Sequence, residues 1–324
     1  MVLALDLGGT KVEAALVGPD GEIVGGIHRA LTGQAASRAE LIAAIDDVVR
    51  RSGAAGTVEV IGIGSAGPVD LGAGTVSPKN LPQLAGFPVR EHLEALVPGA
   101  RATLRLDGTC IALAEHWLGA TRGRSNSMSM VVSTGVGGGI ILHDSLIAGA
   151  TGNAGHVGQI QIASRVAGDA RDASTLEAIA SGPATVAWAR RQGWPGATGE
   201  DLAADYAQGN RIAVAAVRRS ATAVGEAIAS VATLLDLEVV AVGGGFVNVA
   251  DHYLDLVRAA ISDSVVFDYA RVDVVPSALN GRGPLLGAAA LVHRSWLLDA
   301  TAFPPPRTLG TRHPVTPMGK QEQQ

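Results

Sequence analysis

Three glycine-rich segments, each directly after an apolar run, are the parts of this sequence whose composition most suggests chemistry. They are Gly8-Gly9-Thr10-Lys11, Gly135 to Gly139, and Gly243-Gly244-Gly245. Because glycine has no side chain, consecutive backbone N–H groups can crowd around a phosphate. One such segment alone is more often only a tight turn. Three of them, two next to Thr10 and Thr134, favour a nucleotide site that includes Gly135 and Gly137.

Two familiar nucleotide signatures are excluded. The stretch Gly62-Ile63-Gly64-Ser65-Ala66-Gly67 has the G-x-G-x-x-G spacing of dinucleotide-binding proteins and follows an apolar run. However, Pro68-Val69-Asp70 follows where that motif requires the start of a helix. A G-x-x-x-x-G-K-[ST] loop is also lacking, because no glycine lies at the required distance before Gly9-Thr10-Lys11. A site for ATP in this chain must therefore have another architecture.

A hairpin that begins Asp-x-Gly-Gly-Thr offers such an architecture. Asp6 ends the first apolar run, directly before Gly8 and Gly9. Mg²⁺ in proteins is commonly held by one or two carboxylates together with substrate phosphates. Asp6 is therefore a candidate to hold Mg²⁺, directly or through water, while Gly8, Gly9, Thr10 and Lys11 contact the phosphates. The alternative is that Asp6 only caps the turn.

Asp107 is a second carboxylate at the end of an apolar run, and two interpretations of it stand level on the residues alone. It follows a predicted strand, Ala102 to Leu106, and precedes a predicted helix, Thr109 to Trp117. A carboxylate on a rigid element can accept a proton from an alcohol that attacks phosphorus. The same position also suits the N-cap of the helix that follows.

The elements that must position these residues alternate between strands and helices, which predicts an α/β fold in two halves. Ser37 and Glu40 predict a capping box at the start of a helix that ends before Gly53. An apolar stripe from Val217 to Leu235 predicts a long helix. The predicted strands are Val2 to Leu7, Val12 to Val17, Glu22 to Val24, Val58 to Ile63, Ala102 to Leu106, Ser129 to Val132 and Glu238 to Val242, and a further helix is predicted from about Asp251 to Ile261. The sequence contains no short-period repeat.

The composition narrows the class of protein. The chain has 324 residues, with 25 Lys and Arg against 30 Asp and Glu, a formal net charge of −5. This mild acidity offers no basic field for nucleic acid. The single cysteine, Cys110, excludes a disulfide framework and points to a reducing compartment. No apolar run approaches the ~20 residues that span a bilayer, and the apolar start, which Asp6 interrupts, does not resemble a signal peptide. We therefore expect a cytoplasmic protein without membrane or nucleic-acid partners.

Taken together, these segments resemble those of the ROK family (repressors, open reading frames and sugar kinases). The family's fold is the two-lobed, actin-like, ribonuclease H-like ATPase fold with a central cleft. The resemblance runs from about residue 1 to 295. It rests on six segments in the order the family has them: Asp6 to Lys11, Gly62 to Asp70, Pro78 to Pro82, Asp107 with Ala112 to Glu115, Ser133 to Gly139, and Gly152-Asn153-Ala154-Gly155 through Gln159.

The resemblance implies an ATP- and Mg²⁺-dependent kinase that phosphorylates the primary hydroxyl of a hexose or a hexose-like molecule. It favours Asp107 as the general base and places the adenosine near Gly243, Gly244 and Gly245. It implies that the substrate-binding residues are Gly64, Ser65, Asn80, Leu106, Asp107, His156, Gln159 and Glu177. Glu177 has an alternative role, because Ser174-Thr175-Leu176-Glu177 has the pattern of a capping box that closes its own helix. For His156, a structural hydrogen bond is the alternative.

Several residues depart from the family pattern. Leu106 stands where the family usually has asparagine, and His156 and Gln159 stand where it has glutamate and histidine. The family's zinc site uses that histidine and three cysteines, but the stretch from Ala163 to Leu176 contains no cysteine. Since a structural Zn²⁺ needs four N or S ligands, we expect no zinc, and we expect local hydrogen bonds or packing to order this stretch.

The departures suggest an acceptor whose ring substituents differ from those of glucose. By analogy with the family, glucose itself, an amino sugar such as kanosamine or a C7-cyclitol is the expected acceptor. A sugar-responsive repressor and a non-catalytic sugar binder remain as alternatives. A homodimer is implied by the resemblance. We expect a small domain over residues 1–115, completed by a helix near 285–300, a larger domain over 116–284, and a disordered tail over 303–324.

Overall fold

Two five-stranded sheets with the same strand order organise the protein in the computed structural model, which describes residues 1–162 and 174–298. The first sheet consists, in spatial order, of β3 (Ile23–Leu31), β2 (Lys11–Val17), β1 (Val2–Leu7), β4 (Val60–Ser65) and β7 (Arg101–Leu106). The second consists, in spatial order, of β10 (Ser145–Leu146), β9 (Val136–Leu142), β8 (Ser127–Val132), β11 (Val239–Gly243) and β12 (Asp273–Pro276). A separate hairpin pairs β5 (Val69–Asp70) with β6 (Thr75–Val76).

The two sheets also share their strand directions. In each, three consecutive strands are antiparallel, and the two remaining strands run parallel to the first. The predicted α/β class with two halves is therefore confirmed, and the halves prove to be two copies of one architecture. We call them the first lobe and the second lobe. The sheets lie on either side of the predicted boundary near Glu115, whereas the exact domain limits stay a prediction.

The helices connect and cover these sheets. They are α1 (Arg38–Arg51), α2 (Val89–Leu96), α3 (Asp107–Leu118), α4 (Leu176–Ala180), α5 (Gly182–Arg191), α6 (Gly199–Ala207), α7 (Arg211–Leu235), α8 (Tyr253–Ser264) and α9 (Gly283–His293). The capping box of α1 is confirmed, because Ser37 and Glu40 each bond the other's backbone N–H. The stripe on α7 is confirmed as well, since Val217, Val224 and Ile228 are fully buried.

Helices α3 and α9 form the junction between the lobes. Helix α3 follows the first sheet but packs on β8 and β9 of the second, while α9 follows the second sheet but packs on β1 and β4 of the first. The two helices also pack against each other. Their approach requires glycine, because a Cβ on Gly287 would overlap the carbonyl of Cys110 and one on Gly62 would overlap that of Ala288. Such close packing holds the start of α3 rigidly between the sheets.

One glycine segment differs from its predicted form. Residues 135–139 were expected to be a turn, but only Gly135 belongs to the turn and Gly137 to Gly139 lie inside β9. The physical reason is the approach of α3, because a Cβ on Gly139 would come within 2.6 Å of the carbonyl oxygen of Gly108. Gly139 is therefore a packing requirement, whereas a Cβ on Gly137 would meet no atom within 4 Å, which leaves Gly137 as a possible phosphate contact.

Strand β3 is also longer than the predicted Glu22 to Val24, reaching Leu31. Gly25 and Gly26 interrupt its alternation with positive φ, which hid the strand from a periodicity argument. Among the described residues, no helix combines the length and the apolar character that crossing a membrane requires. The expected disordered tail at 303–324 lies outside the described residues.

Candidate active site

A cleft of about 370 Å³ opens between the lobes, and most of the predicted site residues line it. The predicted residues in its wall are Gly8, Gly9, Thr10, Lys11, Asn80, Asp107, Thr134, Gly135, Gly137, His156, Gln159, Glu177, Gly243, Gly244 and Gly245. Four predicted residues do not form its wall: Asp6, Gly64, Ser65 and Leu106 are not among the lining residues. The structure thus brings together segments that are more than two hundred residues apart in sequence.

The turn between β1 and β2 forms one end of the cleft. The Gly8 N–H donates to the Lys11 carbonyl at 3.0 Å, which closes the predicted hairpin. A side chain on Gly9 would come within 2.9 Å of Asn80 Cβ, so glycine lets the Asn80 side chain approach this turn. The turn therefore presents backbone rather than side chains to the cleft, as a phosphate site requires.

Lys11 is held in place by a buried carboxylate that the sequence analysis did not single out. Its Nζ donates to Glu13 Oε2 at 2.7 Å, and Arg29 Nε donates to the other oxygen, Oε1, at 2.7 Å. Glu13 is only 4% exposed. The Lys11 ammonium therefore has a fixed partner at the edge of the cleft. The signal that could have revealed Glu13 was its charge inside the otherwise apolar strand β2.

Asp6 lies in β1 beneath this turn and is buried. Burial, together with the neighbouring carboxylates of Asp107 and Glu13, raises the pKa of Asp6 to about 8 against the opposing effect of Lys11. Carboxylates that are gathered away from water repel each other, and a divalent cation would offset that repulsion. Together with the oxygen chemistry of the side chains, this fits the Mg²⁺ expected here.

Asp107 is the first residue of α3 and lines the cleft. Its Oδ1 accepts a hydrogen bond from the Gly108 N–H at 2.6 Å. Burial raises the pKa of Asp107 to about 6; the Gly108 N–H and His156 oppose this shift, while Glu177 adds to it. The alternative role as an N-cap is wrong, because the N-cap residue is Leu106 and the Asp107 carboxylate accepts from the adjacent Gly108 N–H rather than from one a turn further on.

His156 and Leu106 meet at Gly67, close to Asp107. His156 Nδ1 lies 2.9 Å from the Asn153 carbonyl oxygen. Because a carbonyl only accepts, Nδ1 carries the proton, so that in the neutral ring Nε2 is an acceptor. A Cβ on Gly67 would overlap Leu106 Cδ2 and come within 3.1 Å of His156 Nε2. Leu106 therefore packs behind Gly67, where it provides apolar support and no hydrogen bond.

Glu177 reaches across to the turn between β8 and β9. Its Oε2 accepts from the Val136 N–H at 2.9 Å, and its Oε1 accepts from Gln159 Nε2 at 3.4 Å. The capping-box alternative is wrong, because Thr175 is the N-cap of α4 and the Glu177 carboxylate does not return to that backbone. Glu177 thus joins the glycine turn to the wall of the cleft that carries Gln159.

Asn153 ties the second lobe to the first, and its side chain was not among the predicted site residues. Its Oδ1 accepts from the Val69 N–H at 3.0 Å and its Nδ2 donates to the Val69 carbonyl at 2.8 Å. The paired bonds resemble those between neighbouring strands. Because His156 bonds the Asn153 carbonyl, this clamp also fixes the imidazole. Lys79, Gly67 and Ser277 line the cleft and were not predicted as site residues either.

The segment that carries zinc ligands in the family lies partly outside the described residues, since residues 163–173 belong to neither described range. At its base, the Ile162 N–H donates to the Ser174 carbonyl and the Leu176 N–H to the Ile160 carbonyl, both at 2.8 Å. These bonds close the base of the segment, whereas the expected ordering of residues 163–173 by local hydrogen bonds or packing lies outside the described residues. Within residues 1–162 and 174–298, no group of three or more His, Cys, Asp and Glu residues is placed to hold a metal ion. The absence of zinc stays a prediction.

A second cavity of about 560 Å³ adjoins the cleft, with Ser133, Thr134 and Gly245 in the walls of both. Its wall is largely apolar and includes Pro183, Val186 and Phe246. Gly244 turns the chain between the two spaces with a φ of 105°, and a side chain there would overlap the Val132 carbonyl. An apolar cavity beside a glycine turn suits a planar base whose phosphates lie in the cleft.

Comparison with known families matches residues 2–295 to the ROK family. The chain belongs to the ROK family. It is 33% identical over 290 residues to an N-acetylmannosamine kinase of Yersinia pseudotuberculosis, covering 89% of this chain and 96% of that protein. The resemblance seen in the sequence is thereby confirmed.

Solved structures of the same family have the same fold. A ROK hexokinase from Thermus thermophilus superposes with a TM-score of 0.77 at 29% identity, covering 91% of this chain and 98% of that one. A ROK family glucokinase from Streptomyces griseus, solved with glucose and AMPPNP, also gives 0.77, at 27% identity and with coverage of 90% and 99%. The predicted two-lobed actin-like ATPase fold and the predicted enzyme class, a sugar kinase, are confirmed.

Proposed function

We propose that this protein transfers the γ-phosphoryl group of ATP to the primary hydroxyl of a hexose or hexose-like acceptor. In the proposed reaction the hydroxyl oxygen forms a bond to the γ-phosphorus as its proton passes to the Asp107 carboxylate. The bond between that phosphorus and the bridging oxygen breaks, and ADP leaves. Phosphoryl transfer of this kind needs positioning and charge stabilisation rather than covalent chemistry by the protein.

The observation that carries the proposal is the position of Asp107. It lies in the wall of the cleft with the glycine turns, His156, Gln159 and Glu177. The pKa of about 6 that burial gives Asp107 makes it a better proton acceptor than an exposed aspartate, yet leaves it ionised at neutral pH. Its placement at the start of a tightly packed helix supplies the rigidity that a general base needs.

The donor site in this proposal uses backbone groups. The turns at Gly8 to Lys11 and at Thr134, Gly135 and Gly137 would hold the phosphates, and Asp6 would hold Mg²⁺, directly or through water. Mg²⁺, when bound, would offset the charge on the phosphates. The adenine would lie in the adjoining apolar cavity, beyond Gly243, Gly244 and Gly245. The nucleotide in the related glucokinase structure supports a donor of this class.

The acceptor site in this proposal uses side chains: Asn80, Asp107, His156, Gln159 and Glu177. Gly64, Ser65 and Leu106 would support it from behind. Leu106 cannot hydrogen-bond a ring hydroxyl, whereas the neutral His156 ring can accept a hydrogen bond at Nε2, because its Nδ1 donates to the Asn153 carbonyl. These properties support an acceptor that differs from glucose at a ring substituent, such as an amino sugar. The N-acetylmannosamine kinase among the relatives fits an amino-sugar acceptor.

The proposal is tested by measuring ADP formation against a panel of acceptors. The panel contains glucose, mannose, N-acetylmannosamine, N-acetylglucosamine, 3-amino-3-deoxyglucose and a C7-cyclitol. We expect an amino sugar to give the highest kcat/KM and its 6-phosphate to be the product. Preference for the cyclitol would move the chain to the alternative acceptor class. A wide preference for glucose would overturn the interpretation of Leu106 and His156. Binding without turnover for every sugar would favour a non-catalytic binder.

Zinc content and oligomeric state are separate parts of the proposal. We expect the purified protein to contain substoichiometric zinc by elemental analysis and to keep its kcat after treatment with a zinc chelator and addition of Mg²⁺. Stoichiometric zinc would contradict this expectation. The homodimer implied by the family resemblance is tested by light scattering, for which a monomeric mass would be the contrary result.

A further inference from the structure

A fully buried carboxylate that takes no part in the proposed reaction lies near the C-terminal end of α3, the helix that begins with Asp107. Glu115 in α3 is 0% exposed. Its Oε2 accepts from the Ala120 N–H at 2.6 Å, just past the end of the helix. Its Oε1 accepts from the Ser277 hydroxyl and, at 3.2 Å, from the Ala278 N–H. Its hydrogen bonds therefore connect α3 to a segment of the second lobe.

That segment belongs to the donor end of the cleft. Ser277 follows β12, and its N–H donates to the Val242 carbonyl at 3.0 Å. A side chain on Gly243 would come within 2.7 Å of Ser277 Cβ, so Ser277 packs directly against the third glycine turn. Ser277 also lines the cleft beside Gly243 and Gly244. A shift of Ser277 would therefore move the wall against which the nucleotide is proposed to lie.

Helix α3 links the two ends of the cleft mechanically. Asp107 is its first residue, and Glu115 lies eight residues further along, so that the two are roughly 12 Å apart along the axis. Nine of the twelve residues of α3 are buried, and a close-packed helix moves as a rigid body. A movement of the Glu115 end of the helix would therefore shift the donor wall. The orientation of the same helix also determines where the Asp107 carboxylate points.

We infer that Glu115 is a positioning residue that sets the donor site for the proposed reaction. It holds Ser277 against Gly243 and so keeps the nucleotide wall in register with Asp107. A leucine would pack at this buried position without the desolvation of a carboxylate. Two backbone N–H groups and one hydroxyl surround the two carboxylate oxygens. The carboxylate therefore serves to orient these groups rather than to fill space. This inference rests on the proposed use of ATP.

The test is the Glu115→Gln variant, which keeps the size of the side chain but turns an NH₂ group toward a donor. We expect the KM for ATP and the Kd for AMPPNP, measured by calorimetry, to rise roughly tenfold or more, the scale of a lost charge-assisted hydrogen bond. The KM for the acceptor should stay within about twofold. A residue that only stabilised the fold would lower Tm and the active fraction without this split between the two substrates.

Ser277→Ala is the second variant, because it removes only a hydroxyl and keeps the buried carboxylate. We expect a smaller rise in the KM for ATP, roughly threefold to fivefold. In the double variant the two effects should not add, since both report one interaction. If Glu115→Gln does not fold, Ser277→Ala alone still tests the proposal. Ser277→Thr, which keeps the hydroxyl, should restore much of the nucleotide affinity.

Asp46→Asn is the matched control. Asp46 is a hydrogen-bonded carboxylate on α1, where it pairs with Arg50 and His92 away from the cleft. We expect its KM for ATP to match that of the parent. Unchanged KM and Kd for the nucleotide in folded Glu115→Gln and Ser277→Ala would overturn the inference alone. A parent protein that binds no AMPPNP would instead overturn the proposed function.

Discussion

The proposed donor end and the proposed acceptor end of the cleft are built from different kinds of atoms. The donor end is formed by backbone at three glycine turns, and a side chain at Gly244 would overlap the Val132 carbonyl. The acceptor end is formed by side chains, among them Asp107, His156 and Glu177. A site made of backbone requires glycine whatever the ligand's details, whereas a site made of side chains changes its hydrogen bonds with one substitution.

The departures from the family pattern follow this division. The Asp-x-Gly-Gly-Thr segment and the Ser133-Thr134-Gly135 turn keep the form that the family resemblance gives them. Leu106, His156 and Gln159 depart from it and lie at or behind the acceptor end. We interpret this as one phosphoryl-transfer apparatus combined with an altered acceptor pocket. If this division is correct, variants at the two ends of the cleft should change different kinetic constants.

Asp107→Asn removes the proposed proton acceptor, which lies between the proposed donor and acceptor sites. The amide cannot accept the proton of the hydroxyl, so kcat should fall by at least ~100-fold. The N-terminal turn of α3 should persist, because an amide oxygen can still accept from the Gly108 N–H. The checks are steady-state kinetics for kcat and circular dichroism for the fold. Turnover close to that of the parent would remove Asp107 from the role of base.

The pH dependence of kcat/KM tests the assignment of Asp107 as the general base. Burial raises the pKa of Asp107 to about 6. Since a general base works only when deprotonated, activity should be full above this value and lost below it. We expect kcat/KM to fall roughly tenfold per pH unit below about pH 6. A profile measured from pH 5 to 8 that stays flat would contradict the shifted pKa.

Restoring the family pattern at the acceptor end tests the division between the two ends. In the double variant Leu106→Asn and His156→Glu, an amide and a carboxylate return near Asp107. We expect kcat/KM for glucose, relative to the preferred acceptor, to rise by about tenfold to a hundredfold. The KM for ATP should stay within about twofold of the parent. A change in the KM for ATP with no change in acceptor preference would mean that these two residues act on the donor site rather than on the acceptor site.

Local sequence signals predicted the elements that local forces build. Ser37 and Glu40 bond each other three residues apart, so the start of α1 is readable from the sequence alone. Glu177, in contrast, bonds the N–H of Val136, and Glu115 bonds Ser277, which is 162 residues away. Such partners depend on how the two lobes pack. For the same reason the strand at Gly137 to Gly139 was predicted as a turn, because Gly139 is required by the close approach of α3, which is distant in sequence.

Gly137→Ala tests the donor end with the smallest change. A Cβ at Gly137 meets no protein atom within 4 Å, although the residue lines the cleft. The fold should therefore tolerate the methyl group, with Tm close to that of the parent. If the phosphates lie against this strand, the methyl group would intrude on them, and the KM for ATP should rise roughly tenfold. Gly33→Ala is the control, because a Cβ there also meets nothing within 4 Å and the residue does not line the cleft. An unchanged KM for ATP would mean that the phosphates do not lie against Gly137, and that on this side of the cleft they contact Thr134 and Gly135 instead.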